Sequence, residues 1–204
     1  MSLRKKIFGY FLIVLSFILI IIVGLPTIYS SNSGGRLEKI KTIHLDCLKD
    51  EHSDIVLLYF GYVGCKTICV PSLTEIDKIY MKLDKNEQQN IKVYFINLLD
   101  VIDKELPTLF AHYFNKDFKG VYLDKQELSS ISNQFDVVFS KSLSDKYILN
   151  HSGYLYILLK DKDKNYYQKY IYTTRPFDID LIVSDIKHLI QQRGKDEKIV
   201  STHR

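Results

Sequence analysis

The chain lacks tryptophan, and its 204 residues include only three cysteines, four prolines and two methionines. Three cysteines are too few for an iron–sulfur cluster, which takes four cysteine or histidine ligands. Neither a Gly-rich phosphate loop nor a haem motif is present, so nothing points to nucleotide or haem chemistry. Low-complexity tracts and repeats of solenoid length are also absent. The expected organisation is one globular domain with an appendage.

The sequence has almost no excess charge beyond its first six residues. Three of the 28 basic residues are Arg4, Lys5 and Lys6, and the other 25 are balanced by 24 acidic residues. A nucleic-acid partner requires a concentrated basic surface. We therefore expect no nucleic-acid binding.

A long stretch without charge follows the basic cluster. Residues 7–35 contain no charged side chain, and residues 7–29 are strongly apolar. A helix needs about 20 such residues to cross a bilayer, and a basic flank favours the cytoplasmic side. We predict a cytoplasmic N-terminus at 1–6, a transmembrane anchor at 7–29 and a linker at 30–40.

A cleavable signal peptide is the alternative interpretation of this segment. Ser31-Asn32-Ser33 offers small residues for cleavage, but the apolar run exceeds the ~7–15 residues of a signal peptide core. We favour the retained anchor on that length. Both interpretations export the rest of the chain. The expected location is the inner membrane, single-pass, with the soluble domain on the periplasmic side.

The exported domain, residues 41–193, alternates between strand-like and helix-like patterns. Continuous β-branched and aromatic runs predict strands buried on both faces, and apolar residues at helical spacing predict helices. Asp178 is placed to cap the last helix and Gly194 to end it. In chain order we predict a strand at 55–63, a helix after Cys65, a strand at 91–99, a helix at 104–114, a strand at 120–123, a helix at 125–135, a hairpin within 153–174, and a final helix before a flexible tail at 194–204. This order is typical of an α/β fold with a mostly parallel central sheet.

Two of the three cysteines, Cys65 and Cys69, lie where the first buried strand gives way to a helix, in "YFGYVGCKTICVP". Residues four apart share one face of a helix, so two thiolates there can hold a soft metal ion or close a disulfide. A bridge across so short a loop removes little unfolded-state entropy and would be a poor structural staple. An exported pair in this position therefore favours metal or redox chemistry.

A metal held by two thiolates needs a further donor, and six histidines are available. His188 and His203 are expected to be solvated, and His112 to pack or face water. His44 forms a His-x-x-Cys spacing with Cys47, which is a weak signal alone. His151 stands in a polar turn before a strong strand, where the residues alone favour a loop histidine whose hydrogen bonds are satisfied locally.

These features together resemble the Sco/SenC family of membrane-anchored, thioredoxin-like copper proteins. The resemblance rests on the single anchor, on Cys-x-x-x-Cys after "YFGYVG", and on His151 in "ILNHSGYLYIL". It implies a thioredoxin-like α/β fold and a copper site formed by Cys65, Cys69 and His151. It also implies a role in assembling the CuA centre of cytochrome c oxidase. The expected partner is the oxidase subunit that carries that centre, or another exported thiol or copper protein.

Two other functions stay open. A thiol–disulfide oxidoreductase would use Cys65 as the attacking thiol and Cys69 as the resolving thiol, although the usual redox motif has two intervening residues instead of three. A tethered binding module that has lost its chemistry is the third possibility. Whether the chain is an enzyme is left undecided by the sequence, and Cys47 has no assigned role.

Overall fold

The computed structural model describes residues 7, 10–21, 35–99, 103–135, 137, 139–141 and 149–202. It divides into two units, Met1–Gly34 and Gly35–Arg204.

In the first unit, residues 10–21 form a helix whose side chains are all exposed. Apart from Ser16 they are apolar or aromatic, and the Ser16 hydroxyl donates a hydrogen bond of 2.8 Å to the Ile13 carbonyl. None of the helices described is both long and apolar enough to cross a bilayer. Much of the predicted anchor (8–9 and 22–29) lies outside the described residues, as does the predicted N-terminus at 1–6.

The second unit contains eight strands and five helices within its described residues. In chain order these are β1 (Arg36–Ile43), β2 (Ile55–Gly61), α1 (Cys69–Met81), α2 (Lys85–Gln89), β3 (Ile91–Asn97), α3 (Leu106–Phe114), β4 (Lys119–Tyr122), α4 (Lys125–Phe135), β5 (Phe139–Lys141), β6 (Leu149–His151), β7 (Leu155–Lys160), β8 (Tyr166–Tyr172) and α5 (Ile179–Thr202). A single 3₁₀ turn, Asp46–Leu48, lies between β1 and β2.

Six strands form one mixed sheet in the order β1-β8-β7-β2-β3-β4, and β5 pairs separately with β6. The central strands β2 and β3 run parallel, as do β3 and β4, whereas β7, β8 and β1 pair antiparallel. Every residue of β2 is buried, because a central parallel strand is covered on both faces. The predicted α/β fold is therefore confirmed, but its sheet is mixed rather than mostly parallel, because three of the five strand pairings are antiparallel.

The last helix is capped as predicted, since the Asp178 carboxylate accepts a hydrogen bond of 3.0 Å from the Leu181 amide. The prediction that Gly194 ends this helix is wrong, because α5 continues to Thr202 through most of the predicted tail. Gly194 adopts no left-handed φ and has no neighbour that its missing side chain would meet. Nothing in the backbone there requires a helix terminus.

The predicted linker at 30–40 also needs correction, because strand β1 already begins at Arg36. Only Ile43 of its eight side chains is buried, so β1 is held to the sheet through its pairing with β8 rather than by a hydrophobic face. An edge strand of this kind leaves no alternating pattern in the sequence. The predicted strand at 55–63 ends two residues early, at Gly61.

Candidate metal centre

The two cysteines are placed by a tight turn between β2 and α1. The Asn97 side chain, at the end of β3, accepts a hydrogen bond of 3.0 Å from the Val63 amide, and the Cys65 amide donates one of 3.2 Å to the Tyr62 carbonyl. Gly64 has φ +91°, a conformation that strongly favours glycine. Cys65 therefore lies in the turn, whereas Cys69 is the first residue of α1.

This arrangement differs from the expected pair of cysteines on one helical face. The Cys69 amide, at the start of α1, donates to the Cys65 sulfur over 3.4 Å. The first amides of a helix have no partner within the helix and carry partial positive charge. The Cys69 amide is one of these unpaired amides, and it points at the Cys65 sulfur. If Cys65 lay inside the helix, this amide would donate to the Cys65 main-chain carbonyl instead.

Gly61 makes room for the second cysteine. A Cβ atom at position 61 would lie 2.7 Å from the Cys69 sulfur and 2.9 Å from Cε2 of Phe95. Both separations are shorter than a van der Waals contact. The absence of a side chain at Gly61 is what lets Cys69 pack against the end of β2.

The structure brings the three predicted site residues together. The ligand atoms of Cys65, Cys69 and His151 all lie within 4.8 Å of one another, and the Cys69 sulfur is 3.7 Å from Nε2 of His151. Both cysteines are buried and His151 is half-buried. Within the described ranges, no other group of three or more His, Cys, Asp or Glu side chains converges in this way.

His151 is the last residue of β6 and pairs with Phe139 of β5. Its Nδ1 atom lies 3.3 Å from the Ser152 carbonyl oxygen, and the Tyr62 ring packs edge-on against the imidazole. A proton on Nδ1 donates to that carbonyl and leaves the Nε2 lone pair free for a metal. The residues alone favour a loop histidine with locally satisfied hydrogen bonds; the structure gives Nδ1 such a partner, but it places His151 at the end of a strand with Nε2 beside Cys69.

The two thiols have opposite acidities. A hydrogen bond from Cys69 lowers the pKa of Cys65 to about 3, against the opposing effect of burial, and contacts with His151 and with the amides of Cys69 and Ile68 lower it further. The pKa of Cys69 is raised well above its usual range, by the same hydrogen bond and by burial. The hydrogen bond between the two side chains therefore favours the thiolate at Cys65 over the thiolate at Cys69.

Among the described residues, the remaining cysteine and the other histidines take no part in this group. Cys47 is half-buried, and burial together with the nearby Glu127 raises its pKa to about 12. The main-chain amide and carbonyl of His44 both bond to the Gln134 side chain. The His44-x-x-Cys47 spacing thus gives no metal cluster in the part of the chain that is described.

Three residues that sequence reasoning missed lie around the cysteines. Tyr62 is buried, and burial together with its contact with Cys65 raises its pKa to about 12. The exposed Arg175 guanidinium packs against Gly153, two residues after His151. Tyr59 lies two residues before Gly61 on β2. For Tyr59 a signal existed, because residues two apart on a strand face the same side of the sheet.

The fold and the convergence of Cys65, Cys69 and His151 define the class of the molecule. It is a thioredoxin-like protein that carries a Cys-Cys-His group. The sequence profile of the SCO1/SenC family matches residues 49–191. The chain belongs to that family, and the resemblance drawn from the sequence is confirmed.

Individual relatives are distant. An SCO2-like protein of Rickettsia felis is 26% identical over 171 residues, which cover 76% of this chain and 78% of that protein. The solution structure of apo Sco1 from Thermus thermophilus superposes with a TM-score of 0.62 at 22% identity, covering 76% of this chain and 94% of that one. The crystal structure of Arabidopsis thaliana ScoI with copper bound gives a TM-score of 0.58 at 20% identity, over 71% and 89% of the two chains. These likenesses establish the thioredoxin-like fold of the family.

Proposed function

We propose that this chain is a membrane-tethered copper-binding protein that holds Cu(I) between Cys65, Cys69 and His151. The observation that carries the proposal is the convergence of two sulfurs and an imidazole nitrogen within 4.8 Å. Thiolate ligands select soft ions such as Cu(I). A structural zinc site takes four ligands, and among the described residues no fourth His, Cys, Asp or Glu joins the group.

The protonation of the two thiols suits metal uptake at neutral pH. Cys65 is already a thiolate, because its pKa is lowered to about 3, whereas Cys69 holds the shared proton. A ligand sulfur must be deprotonated, so uptake releases the Cys69 proton. The bound Cu(I) would be a soft cation that can be passed to another thiol or imidazole site.

We infer that the copper is delivered to the CuA centre of cytochrome c oxidase or to another exported copper or thiol protein. Family membership supports this role, and the Arabidopsis relative has been solved with copper bound. Gly64, Lys66 and Thr67 on the turn that carries Cys65 are exposed. A partner can therefore approach the ligands from the turn.

The anchor is part of the same proposal. Residues 10–21 form a helix of exposed, mainly apolar side chains, and the Ser16 hydroxyl is bonded within the helix. A surface of this kind is suited to lipid, where polar groups must find internal partners. We propose that the segment 7–29 holds the chain in the inner membrane, with the thioredoxin-like domain on the periplasmic side.

The first test is an anaerobic Cu(I) titration of the full chain in detergent, beside Cys65→Ser, His151→Ala and the control His188→Ala. His188 is exposed on α5 and belongs to no ligand group. We expect one tight equivalent for wild type and His188→Ala, and its loss in the other two variants. Tight binding that is indifferent to His151 would contradict the ligand set.

Delivery is tested by mixing the Cu(I)-loaded chain with the metal-free CuA domain of the oxidase. We expect the copper content of the re-isolated CuA domain to rise faster than with an equal amount of free Cu(I) in the same anaerobic buffer. An equal or slower rate would contradict the assembly role while leaving copper binding intact.

A thiol–disulfide oxidoreductase is the second candidate, and the acidity of Cys65 favours it. The Cys65 thiolate would attack a partner disulfide, forming a mixed disulfide and releasing one partner thiolate. Cys69, after losing its proton to solvent, would then displace the second partner thiolate and leave a Cys65–Cys69 disulfide. This exchange needs no third ligand. An activity retained in His151→Ala but lost in Cys65→Ser would favour it over copper transfer.

A further inference from the structure

The Tyr59 hydroxyl is a buried polar group without an evident role. The Tyr59 ring, on β2, is fully buried, and among the described residues its hydroxyl has no hydrogen-bond partner. A buried hydroxyl without a partner is uncommon, because it loses its bonds to water and gains none in return. A second state of the protein, in which the Tyr59 hydroxyl gains a hydrogen-bond partner, would explain its burial.

Tyr59 faces the cysteine site. It lies on the same side of β2 as Gly61, and its Cε1 atom is 3.3 Å from the point where a Gly61 Cβ would stand. The Cys69 sulfur is 2.7 Å from that same point. The hydroxyl lies beside Cys69 and Ser72, although neither contact has the geometry of a hydrogen bond.

We propose that Tyr59 is a positioning residue for Cys69, whose sulfur accepts a hydrogen bond from the Tyr59 hydroxyl once it is ligated. This inference rests on the proposed function, since it requires a metal held by Cys69. In the metal-free chain the Tyr59 hydroxyl has no hydrogen-bond partner among the described residues. A ligating sulfur is a thiolate, and hydrogen bonds to charged groups are about twice as strong as neutral ones.

The hydroxyl therefore contributes little to the metal-free fold and stabilises the loaded state. Groups that bond to metal ligands orient those ligands and tune the metal, and their loss typically weakens metal binding about 10–100-fold. Gly61 is part of the same arrangement, because a side chain there would fill the space between the ring edge and the sulfur.

The test compares Tyr59→Phe with the matched control Tyr94→Phe. Tyr94 is also a buried tyrosine of the sheet, on β3, but its hydroxyl donates to the Glu51 carboxylate at 2.7 Å and lies near Cys47 rather than Cys65 and Cys69. Cu(I) affinity is measured on the full chains by competition with a chromogenic chelator. Stability of the metal-free, reduced chains is measured by urea unfolding.

For Tyr59→Phe we expect the Cu(I) dissociation constant to rise about tenfold, with metal-free stability unchanged or higher. For Tyr94→Phe we expect the opposite pattern, unchanged affinity and lower metal-free stability. Wild-type affinity in Tyr59→Phe would overturn the positioning role alone, as would a loss of metal-free stability like that of Tyr94→Phe. Failure of the wild-type chain to bind Cu(I) tightly would overturn both this inference and the proposed function.

Discussion

The Nε2 atom of His151 lies 3.7 Å from the Cys69 sulfur, although 82 residues separate them in the chain. Cys69 is fixed by the start of α1 and His151 by the end of β6. Because β6 pairs only with β5, the histidine is carried by a small two-stranded unit outside the main sheet. The two cysteines therefore come from the turn between β2 and α1, and His151 reaches them from a distant part of the chain.

The acidity of Cys65 leads to a prediction about thiol chemistry. Alkylation requires the thiolate. At a pH below its pKa of about 8.5, an ordinary thiol therefore reacts about tenfold faster for each unit by which the pH is raised. The pKa of Cys65 is lowered to about 3. We expect its rate of alkylation by iodoacetamide in the reduced chain to stay flat between pH 5 and pH 8, as followed by peptide mass spectrometry.

Cys47 is the internal control for this experiment, because its pKa is raised to about 12. It should remain unmodified over the same pH range. A Cys65 rate that climbs tenfold per pH unit would show that the turn does not hold a thiolate. In that case copper uptake would have to release two protons instead of one.

Gly61→Ala is expected to damage the site through crowding rather than through the backbone. The added Cβ would lie 2.7 Å from the Cys69 sulfur, while Gly61 itself has an ordinary negative φ. Overpacking a buried position destabilises by about 1–3 kcal/mol. We expect a loss of stability of that size in urea unfolding, together with weaker Cu(I) binding, because Cys69 must move.

Gly194→Ala provides the contrast. No atom lies near the position of its added side chain, and alanine is favoured over glycine inside a helix by about 0.8–1.0 kcal/mol. The substitution should raise stability and leave Cu(I) affinity unchanged. Equal effects of the two substitutions would refute the view that Gly61 is needed for its space.

Local sequence patterns predicted the cysteine turn but only part of its geometry. The end of the buried strand and the start of a helix located Cys65 and Cys69, because both patterns are short-range. The assumption that both cysteines share a helix was wrong, since Gly64 turns the chain before α1 begins at Cys69. A positive φ at one glycine is not visible in hydrophobic periodicity.

His151 could be assigned only through the family resemblance. Its approach to Cys69 depends on β5 and β6, each three residues long, and such short strands leave almost no periodic signal. Strand β1 was missed for a related reason, because seven of its eight side chains are not buried. In both cases the decisive contacts are long-range pairings, whose partners no local window contains.

Glu51 is expected to stabilise the domain in a pH-dependent way. Its buried carboxylate accepts hydrogen bonds from Tyr94, from Lys119 at 2.8 Å, and from the amides of His52 and Ser53. Burial alone would raise the pKa of Glu51, but these bonds outweigh it and hold the pKa well below its usual range. A group whose pKa falls on folding stabilises the protein above its unfolded pKa.

That contribution is complete above about pH 4.5 and is lost progressively as the pH falls below it. We expect Glu51→Gln to lower the free energy of unfolding at pH 7 by about 1–3 kcal/mol and to flatten its decline in acid. Glu38→Gln is the control, because the Glu38 carboxylate is largely exposed in its pair with Lys169. Equal free energies of unfolding for the two variants across pH 3–7 would show that the hydrogen bonds of Glu51 make no specific contribution to stability.

The anchor proposal predicts both the size and the location of the mature chain. A retained anchor leaves a protein of 23.9 kDa by intact mass, whereas cleavage near Ser31-Asn32-Ser33 would leave a shorter one.

The intact chain should stay with the membrane after an alkaline carbonate wash. Ile18→Arg should release a large part of it, because an arginine near the centre of a membrane helix is unfavourable by about 2.5–3.5 kcal/mol. Ser16→Ala should stay with the membrane, since its hydroxyl bonds only within the helix. A full-length wild-type chain in the soluble fraction would contradict the tether, and the copper site would then have to work without it.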